Sequence, residues 1–423
     1  MGVKRWFGVS IVGFLTFTLG ILILADMPSH FWELLRERFS VRNTLGIGAA
    51  VSGMGIIVFG LTKGFQTMFN AVQPNPTRKL VDVLYEKSQL GSGLKIVTLG
   101  GGTGLSSLLR GLKPMSSNLT AVVTVCDDGG SSGRLSKDLG LLPPGDIRNC
   151  LVALADDESL LSGLFNHRFQ NGNDLGGHSF GNLFLAALTE VVGDFEKAIQ
   201  VSSQILATRG KVLPATLSKV TLCARMWGGE VVRGESSIPE YGGVIEEVYL
   251  DPPGATPAPE VLASLATADA VVLGPGSLFT SVIPNLLVEG MEEALRALKV
   301  PRIYVCNVMT QPGETDGFGA ADHLAALERH VGSGVVDTIV INVETPSEEL
   351  LRRYAAEGAH PVDPQIERLQ KMGVKVVGAN LIRSDNLVRH DSDRLASTLI
   401  DLLARHYSKT SETGKTRHLR VVS

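Results

Sequence analysis

Cysteine is scarce. Cys126, Cys150, Cys223 and Cys306 are the only four in 423 residues. Their spacing fits neither a disulfide framework nor a metal-ligand cluster. Each stands in a mainly apolar run, so all four read as small buried residues in a reducing compartment. Charge is sparse too, at 19% Asp, Glu, Lys and Arg, with a formal net charge of -4. With no basic surplus, the chain lacks the electrostatic footprint of a nucleic-acid binder. It also lacks a G-x-G-x-x-G fingerprint, because the third glycine position falls on Leu105. That omission disfavours a nicotinamide-dependent enzyme.

What the chain has in plenty is apolar sequence, with a mean hydropathy of +0.18. Residues 6–25 form an uncharged run of spanning length, preceded by Lys4 and Arg5 and followed by no clear small-x-small cleavage site. Residues 44–62 form a second, glycine-rich run. The mixed-charge stretch 26–43 between them carries Trp32, Arg36, Arg38 and Arg42. The expectation is an uncleaved transmembrane hairpin over residues 1–70 in the cell membrane, the rival being a buried soluble helix pair. Two spans place the N-terminus and the large domain on one side. Lys4, Arg5, Lys63, Arg78 and Lys79 on that side make it cytoplasmic by the positive-inside rule. Residues 71–94, with Pro74, Pro76 and Gly91, read as a linker with an amphipathic helix at 77–89.

The stretch 95–151 organises the remainder. An apolar run at 95–100 ends in Gly100, Gly101, Gly102 and Gly104, and apolar residues then recur at helical spacing over 105–112. Strand, glycine turn and helix is the arrangement that lets a phosphate reach bare backbone N–H groups. Thr103 would add a hydroxyl or cap the helix. A second strand at 121–126 leads to Asp127 and Asp128, then to Gly129, Gly130, Ser131, Ser132, Gly133 and Arg134. One ligand lying across both strand ends accounts for the two turns. Asp127 and Asp128 would accept ribose or sugar hydroxyls, or hold Mg²⁺ on a pyrophosphate. Asp146 either caps the helix expected at 149–155 or faces the ligand, and Arg148 and Asn149 favour the ligand. Arg134 and Arg148 would neutralise phosphate charge.

Helices are expected at 160–169, at 183–192 and at 196–206, the second opened by His178, Ser179, Gly181 and Asn182. His178, Ser179 and Asn182 would sit at a helix N-terminus, where an anion or sugar hydroxyl is readily held. Residues 211–249 alternate like antiparallel hairpins (212–225, 230–234 and 244–250), an inserted β-element serving as a lid or a homo-oligomer surface. Strand and helix then alternate again. A strand at 270–273 ends in a third glycine turn, Gly274, Pro275, Gly276 and Ser277, with Thr280 following. Strands at 302–308, 335–342 and 374–378 and helices at 320–331, 346–357 and 394–407 complete the set, with Asn307 and Gln311 placed at the site. Residues 408–423 read as a disordered tail. The fold expected is α/β: a Rossmann-like, mostly parallel sheet with helices on both faces and a ligand crevice at the strand carboxyl ends.

The segments GGGTGLSSLLRGL, DDGGSSGRL and PPGDIRNCLVAL resemble the YvcK family of gluconeogenesis factors, within the CofD-like superfamily. The likeness continues through GGHSFGNLFLAAL, GPGSLFTSVIPNLLV and YVCNVMTQPGETDGF, and so covers residues 95–406. It does not cover the hairpin, which is expected as an addition to a usually soluble domain. The resemblance implies a regulatory protein that binds a UDP-sugar such as UDP-N-acetylglucosamine. Such a protein would link carbon metabolism to cell-wall synthesis and cell shape. It further implies a Ser/Thr kinase acting on the tail, where Thr410, Thr413 and Thr416 are the candidates. CofD proper, the alternative, transfers a phospholactyl group from a guanylyl-activated donor to a deazaflavin. On that reading Asp127, Asp128 and Asp146 are catalytic candidates acting with Mg²⁺.

Overall fold

Seven short strands form one parallel sheet. They are β1 (Ile96–Gly100), β2 (Leu119–Val123) and β3 (Lys211–Pro214), then, after three strands placed elsewhere, β7 (Ala270–Leu273), β8 (Arg302–Val305), β9 (Thr338–Asn342) and β10 (Lys375–Ala379). Their order across the sheet is β10-β9-β8-β7-β1-β2-β3. This computed structural model describes residues 3–25, 36–72, 90–156, 160–172, 175–384 and 388–412. The chain divides into two units, Met1–Ser88 and Gln89–Ser423.

Both sheet faces are covered, and side-chain alternation sorts the strands onto them. Val97, Leu99, Val122, Val271 and Leu273 enter one core, while Ile96, Ala121, Val123, Ala270 and Val272 enter the other. The helix Gly102–Leu112 packs its buried leucines into the second core and lies against the last helix, Ser392–Glu412. Gly111 makes that approach possible, since a Cβ there would lie 2.6 Å from the Ser392 carbonyl carbon and 2.9 Å from the Ala396 Cβ. All four cysteines are buried and unpaired.

Between β3 and β7 stand β4 (Thr221–Met226), β5 (Val231–Arg233) and β6 (Ile245–Asp251), an antiparallel three-stranded sheet in the order β5-β4-β6. The strand expected at 212–225 is therefore two strands. Its first half pairs in parallel with β2 as the edge of the main sheet, and only the second half belongs to the insert. A small antiparallel pair, β11 (Ile382–Ser384) with β12 (Val388–His390), follows β10.

In the first unit, helices Val3–Ala25 and Arg36–Val72 lie side by side. The second starts inside the stretch expected as a loop and passes residue 62, since no proline interrupts it before Pro74. Lys4–Ile23 and Thr44–Thr67 are long and apolar enough to cross a membrane. Gly13, Gly20, Gly46, Gly53 and Gly60 are the buried positions, each seven residues from the next on its helix. A Cβ on Gly13 would lie 2.8 Å from the Ile57 backbone nitrogen. Phe7, Leu15 and Phe59 face outward at 67%, 62% and 52% exposure, so this pair hides small residues and displays large apolar ones, as helices packed in lipid do. The helix expected at 77–89 lies outside the described residues, as do Thr413 and Thr416. Thr410 falls on the last helix, which runs five residues into the expected tail, from 408 to 412.

Gly111→Ala should force the helices Gly102–Leu112 and Ser392–Glu412 apart and destabilise the domain by about 1–3 kcal/mol. A urea titration followed by circular dichroism measures the loss; an unchanged midpoint would mean that this interface is loose.

Candidate functional site

The strand order reverses between β1 and β7. Chain connections leave those two neighbours in opposite directions, which opens a crevice at their carboxyl ends. Two glycine turns meet there. Gly104 lies so close to Pro275 that a Cβ would come within 2.7 Å of its carbonyl carbon and 3.0 Å of the Gly276 nitrogen. A cavity of about 650 Å³ opens over these turns. Gly101, Gly102, Thr103, Gly104, Asp127, Asp146, Asn149, Gly276, Ser277, Asn307 and Gln311 all line it, which brings eleven of the sequence-selected residues together.

The helix starts at Gly102, with Gly101 as an uncapped N-terminus, so Thr103 lies in the first turn and is no cap. Pro144 holds the cap position of the helix Gly145–Leu154, which leaves Asp146 free to reach the glycine turn. There its carboxyl accepts the Gly102 N–H, and Gly101 needs its bare Cα because a Cβ would stand 2.5 Å from Asp146 Oδ2. The β7 and β8 turns are tied by a ring of side chains. Gly276 N–H donates to Asn307 Oδ1 (3.3 Å), Asn307 Nδ2 to Gln311 Oε1 (3.1 Å), and Gln311 Nε2 to Ser277 Oγ (2.6 Å).

Other selected residues stand beside the crevice instead of in it. Ser131, His178, Ser179 and Asn182 form a buried knot between two helix N-termini. Ser131 Oγ receives N–H donors from Asn182 Nδ2 (3.1 Å) and Ser179 (3.4 Å), so its own hydrogen goes to His178 Nδ1 (3.0 Å). Ser132 Oγ accepts the Gly145 N–H, and Gly129 donates to Asp127 Oδ1 at 3.0 Å. Gly130 takes φ +47° at the helix start, and Gly274 takes φ +76° where β7 ends. Arg134 Nη2 donates to the Gly176 carbonyl, and Arg148 Nη2 to Asn149 Oδ1 at 2.7 Å. Thr280 Oγ1 lies 3.5 Å from Glu314 Oε1.

Sequence reasoning passed over Glu235, Tyr354, Arg389 and His390, which also line the cavity. Glu235 comes from the insert, and the other three from the C-terminal third of the chain, where no glycine turn marks them. The His390 ring bonds the Cys306 backbone, and its Nε2 is buried without a partner. Burial holds that histidine neutral, down to about 4.

The floor is acidic. Burial, with Asp127 beside it, pushes Asp146 up to about 6. Burial and the charges of Asp127, Asp146 and Glu314 push Glu235 up to about 8, and burial takes Glu314 to about 7. Arg389 is the one arginine or lysine among the described lining residues. Among the described residues no three His, Cys, Asp or Glu side chains group to cage a metal ion. Mg²⁺ carried on a pyrophosphate needs only one or two carboxylates from the protein. The pair that fits is Asp127 with Asp146. Asp128, expected in that role, instead turns to Ser236.

Fold and crevice together define an α/β protein whose ligand site lies at the switch point of a parallel sheet. The profile described as 2-phospho-L-lactate transferase CofD matches residues 96–382, and the chain belongs to that family. Within it the relatives are the YvcK gluconeogenesis factors. The gluconeogenesis factor of Bacillus subtilis is 51% identical over 315 residues, 74% of this chain and 99% of its own. A gluconeogenesis-factor relative from Nostoc sp. is 45% identical over 411 residues, 95% of this chain and 90% of its own. A crystal structure of a Bacillus halodurans protein superposes with a TM-score of 0.71 at 48% identity, covering 73% of this chain and 99% of that one. The Nostoc match corrects one expectation. Five per cent of 423 residues is about 21, far fewer than the 70 of the expected hairpin, so the likeness runs into the apolar helices. Such N-terminal sequence is a variant shared within the family.

Raised carboxyl groups make the folded chain bind more protons than the unfolded one, so stability should fall as pH rises toward their folded values. Lowered histidines oppose this only below about pH 6.5, their ordinary value. From pH 6.5 to 8 the unliganded chain should therefore lose melting temperature, and Glu235→Gln should flatten that slope. A melting temperature that holds or climbs across this window would contradict the placement of Glu235.

Proposed function

We propose that this protein is a regulatory receptor for a nucleotide sugar, with UDP-sugars first. The N-terminal hairpin anchors it in the cell membrane with the large domain in the cytoplasm, and ligand occupancy couples carbon metabolism to cell-wall synthesis and cell shape. One observation carries the reading. A single cavity runs from bare amides at the Gly101–Gly104 turn to a wing of Met309, Tyr354, Val388 and Arg389. Its volume lies in the range of pockets that enclose such ligands. The amides and the helix start at Gly102 suit phosphate, and the wing offers an aromatic and apolar wall for a base. The outward apolar residues of the first unit support the anchor, and the lysines and arginines flanking the two spans support the orientation.

Asp127 and Asp146 favour a second reading, transfer from a nucleotide-activated donor. Mg²⁺ held by these two would neutralise the donor's phosphates and ease departure of the nucleotide. The carboxyl groups, the glycine amides and Arg389 would orient the donor and keep its charge matched.

Thermal shift of the full-length chain in detergent, against nucleotides and nucleotide sugars with and without Mg²⁺, decides between the readings. UDP-N-acetylglucosamine at 100 times its dissociation constant should add about 2.7 kcal/mol and be recovered intact. Arg389→Ala should weaken it about tenfold or more through the lost charge-assisted contact. Gly104→Ala should abolish the shift by forcing the two turns apart. A guanylyl preference that requires Mg²⁺ and consumes the ligand would establish the transferase instead.

A further inference from the structure

One wall of the crevice comes from the insert, in the loop between β5 and the short helix Ser237–Tyr241. Three contacts hold that loop. Asp128 Oδ1 accepts both the Ser236 backbone N–H at 2.9 Å and the Ser236 hydroxyl at 2.8 Å. Gly234, at φ +104°, leaves room where Asp128 Oδ2 sits, so a side chain there would collide with the carboxylate. Gly313 does the same for Pro239, whose carbonyl carbon would lie 3.0 Å from any Cβ at that position. Those contacts set the seating of the loop and of the helix that follows it. That seating carries Glu235 into the cavity and into a hydrogen bond with buried Thr280. Thr280 also meets Glu314, which is 7% exposed.

We propose that Asp128 is a positioning residue: by latching residues 234–236 it holds the Glu235 carboxyl as the group that reads hydroxyl or N–H donors on the sugar half of the ligand. This rests on the nucleotide-sugar reading above. The glycine amides suit the phosphates, and the wing with Tyr354 and Arg389 suits the base. The corner under Glu235 is bounded by Asp127 and Asp146, with Glu314 behind. Carboxyl groups so crowded offer hydrogen-bond partners to neutral hydroxyl and N–H groups, which sugars supply in number. Asp128 does not line the cavity, and it holds the insert through Ser236 and Gly234.

The test is calorimetry on the full-length chain with UDP and UDP-N-acetylglucosamine as probes. Glu235→Ala should weaken the sugar nucleotide about tenfold or more and leave UDP within about twofold. Asp128→Ala should repeat that pattern, and Asp128→Asn, which keeps the Oδ1 acceptor, should restore most of the affinity. The Asp128→Ala, Glu235→Ala double variant should bind no more weakly than Glu235→Ala, because both remove one function. Should Asp128→Ala fail to fold, Ser236→Ala, which deletes the hydroxyl half of the latch, should still cost the sugar nucleotide about threefold. Equal losses for both probes, or additive losses in the double variant, would overturn the latch while leaving nucleotide binding intact. A wild-type chain that binds neither probe would overturn the nucleotide reading, and the latch with it.

Discussion

The site depends on two backbone turns coming closer than side chains allow. Strands β1 and β7 are neighbours whose chains depart in opposite directions, and the Gly104 Cα lies against the peptide joining Pro275 to Gly276. Any Cβ at Gly104 would hold these turns apart. With none, the amides of the first turn stand beside the second turn, and Asp146 reaches in to bond Gly102. The ring through Asn307 and Gln311 then fixes the second turn to the loop after β8. The two turns are therefore held by peptide groups and short amides, whose positions do not depend on long, flexible side chains.

That construction sets the electrostatics. Helix starts and bare amides attract anions, yet Asp127, Asp146 and Glu235 line the same cavity with Glu314 behind them. A phosphate entering next to ionised, buried carboxylates would pay a heavy Coulomb cost. Two things relieve it: protons retained on the carboxyl groups, which their upward shifts favour, or a divalent cation shared between carboxylate and phosphate. The receptor and transferase readings diverge at this point. A binding site can rely on protonated carboxyl groups that donate hydrogen bonds, whereas a transferase needs charge withdrawn from the leaving phosphate.

Much of this was legible because it is local in the chain. The strand at 270–273 and the helix at 320–331 were read with the bounds they have, and the three glycine turns announced the crevice. The helix start at Gly102 was hidden because glycine signals a turn, although a glycine can also open a helix. The pairing of Asp127 with Asp128 failed for a simple reason: adjacent side chains leaving a strand seldom face one point, and these two face Gly129 and Ser236. Residues such as His178 and Arg134 carried the right chemistry but are taken up by other segments of the chain, His178 by Ser131 and Arg134 by the Gly176 carbonyl. Glu235 and Arg389 were invisible because their place depends on contacts distant in the chain, Ser236 with Asp128 for one and Val388 with Tyr354 for the other, which no local spacing records.

The N-terminal helices raise a different question of design. The lining residues fall between 101 and 390, inside the second unit. The Bacillus subtilis relative, 99% covered by a match to 74% of this chain, shows the domain occurring without an equivalent first unit. The first unit is instead a helix pair closed on its own glycine seam, with its large apolar residues left facing outward. Inside water such a surface would drive aggregation, and inside lipid it is already satisfied. On the proposed membrane-anchor reading, an element that supplies no lining residue changes where the crevice is, not what it recognises. Confinement near a membrane raises the effective concentration of the domain toward partners held there. Under the proposed receptor reading that would be sufficient reason to keep an anchor, since the output would depend on whom the domain meets when the crevice is filled.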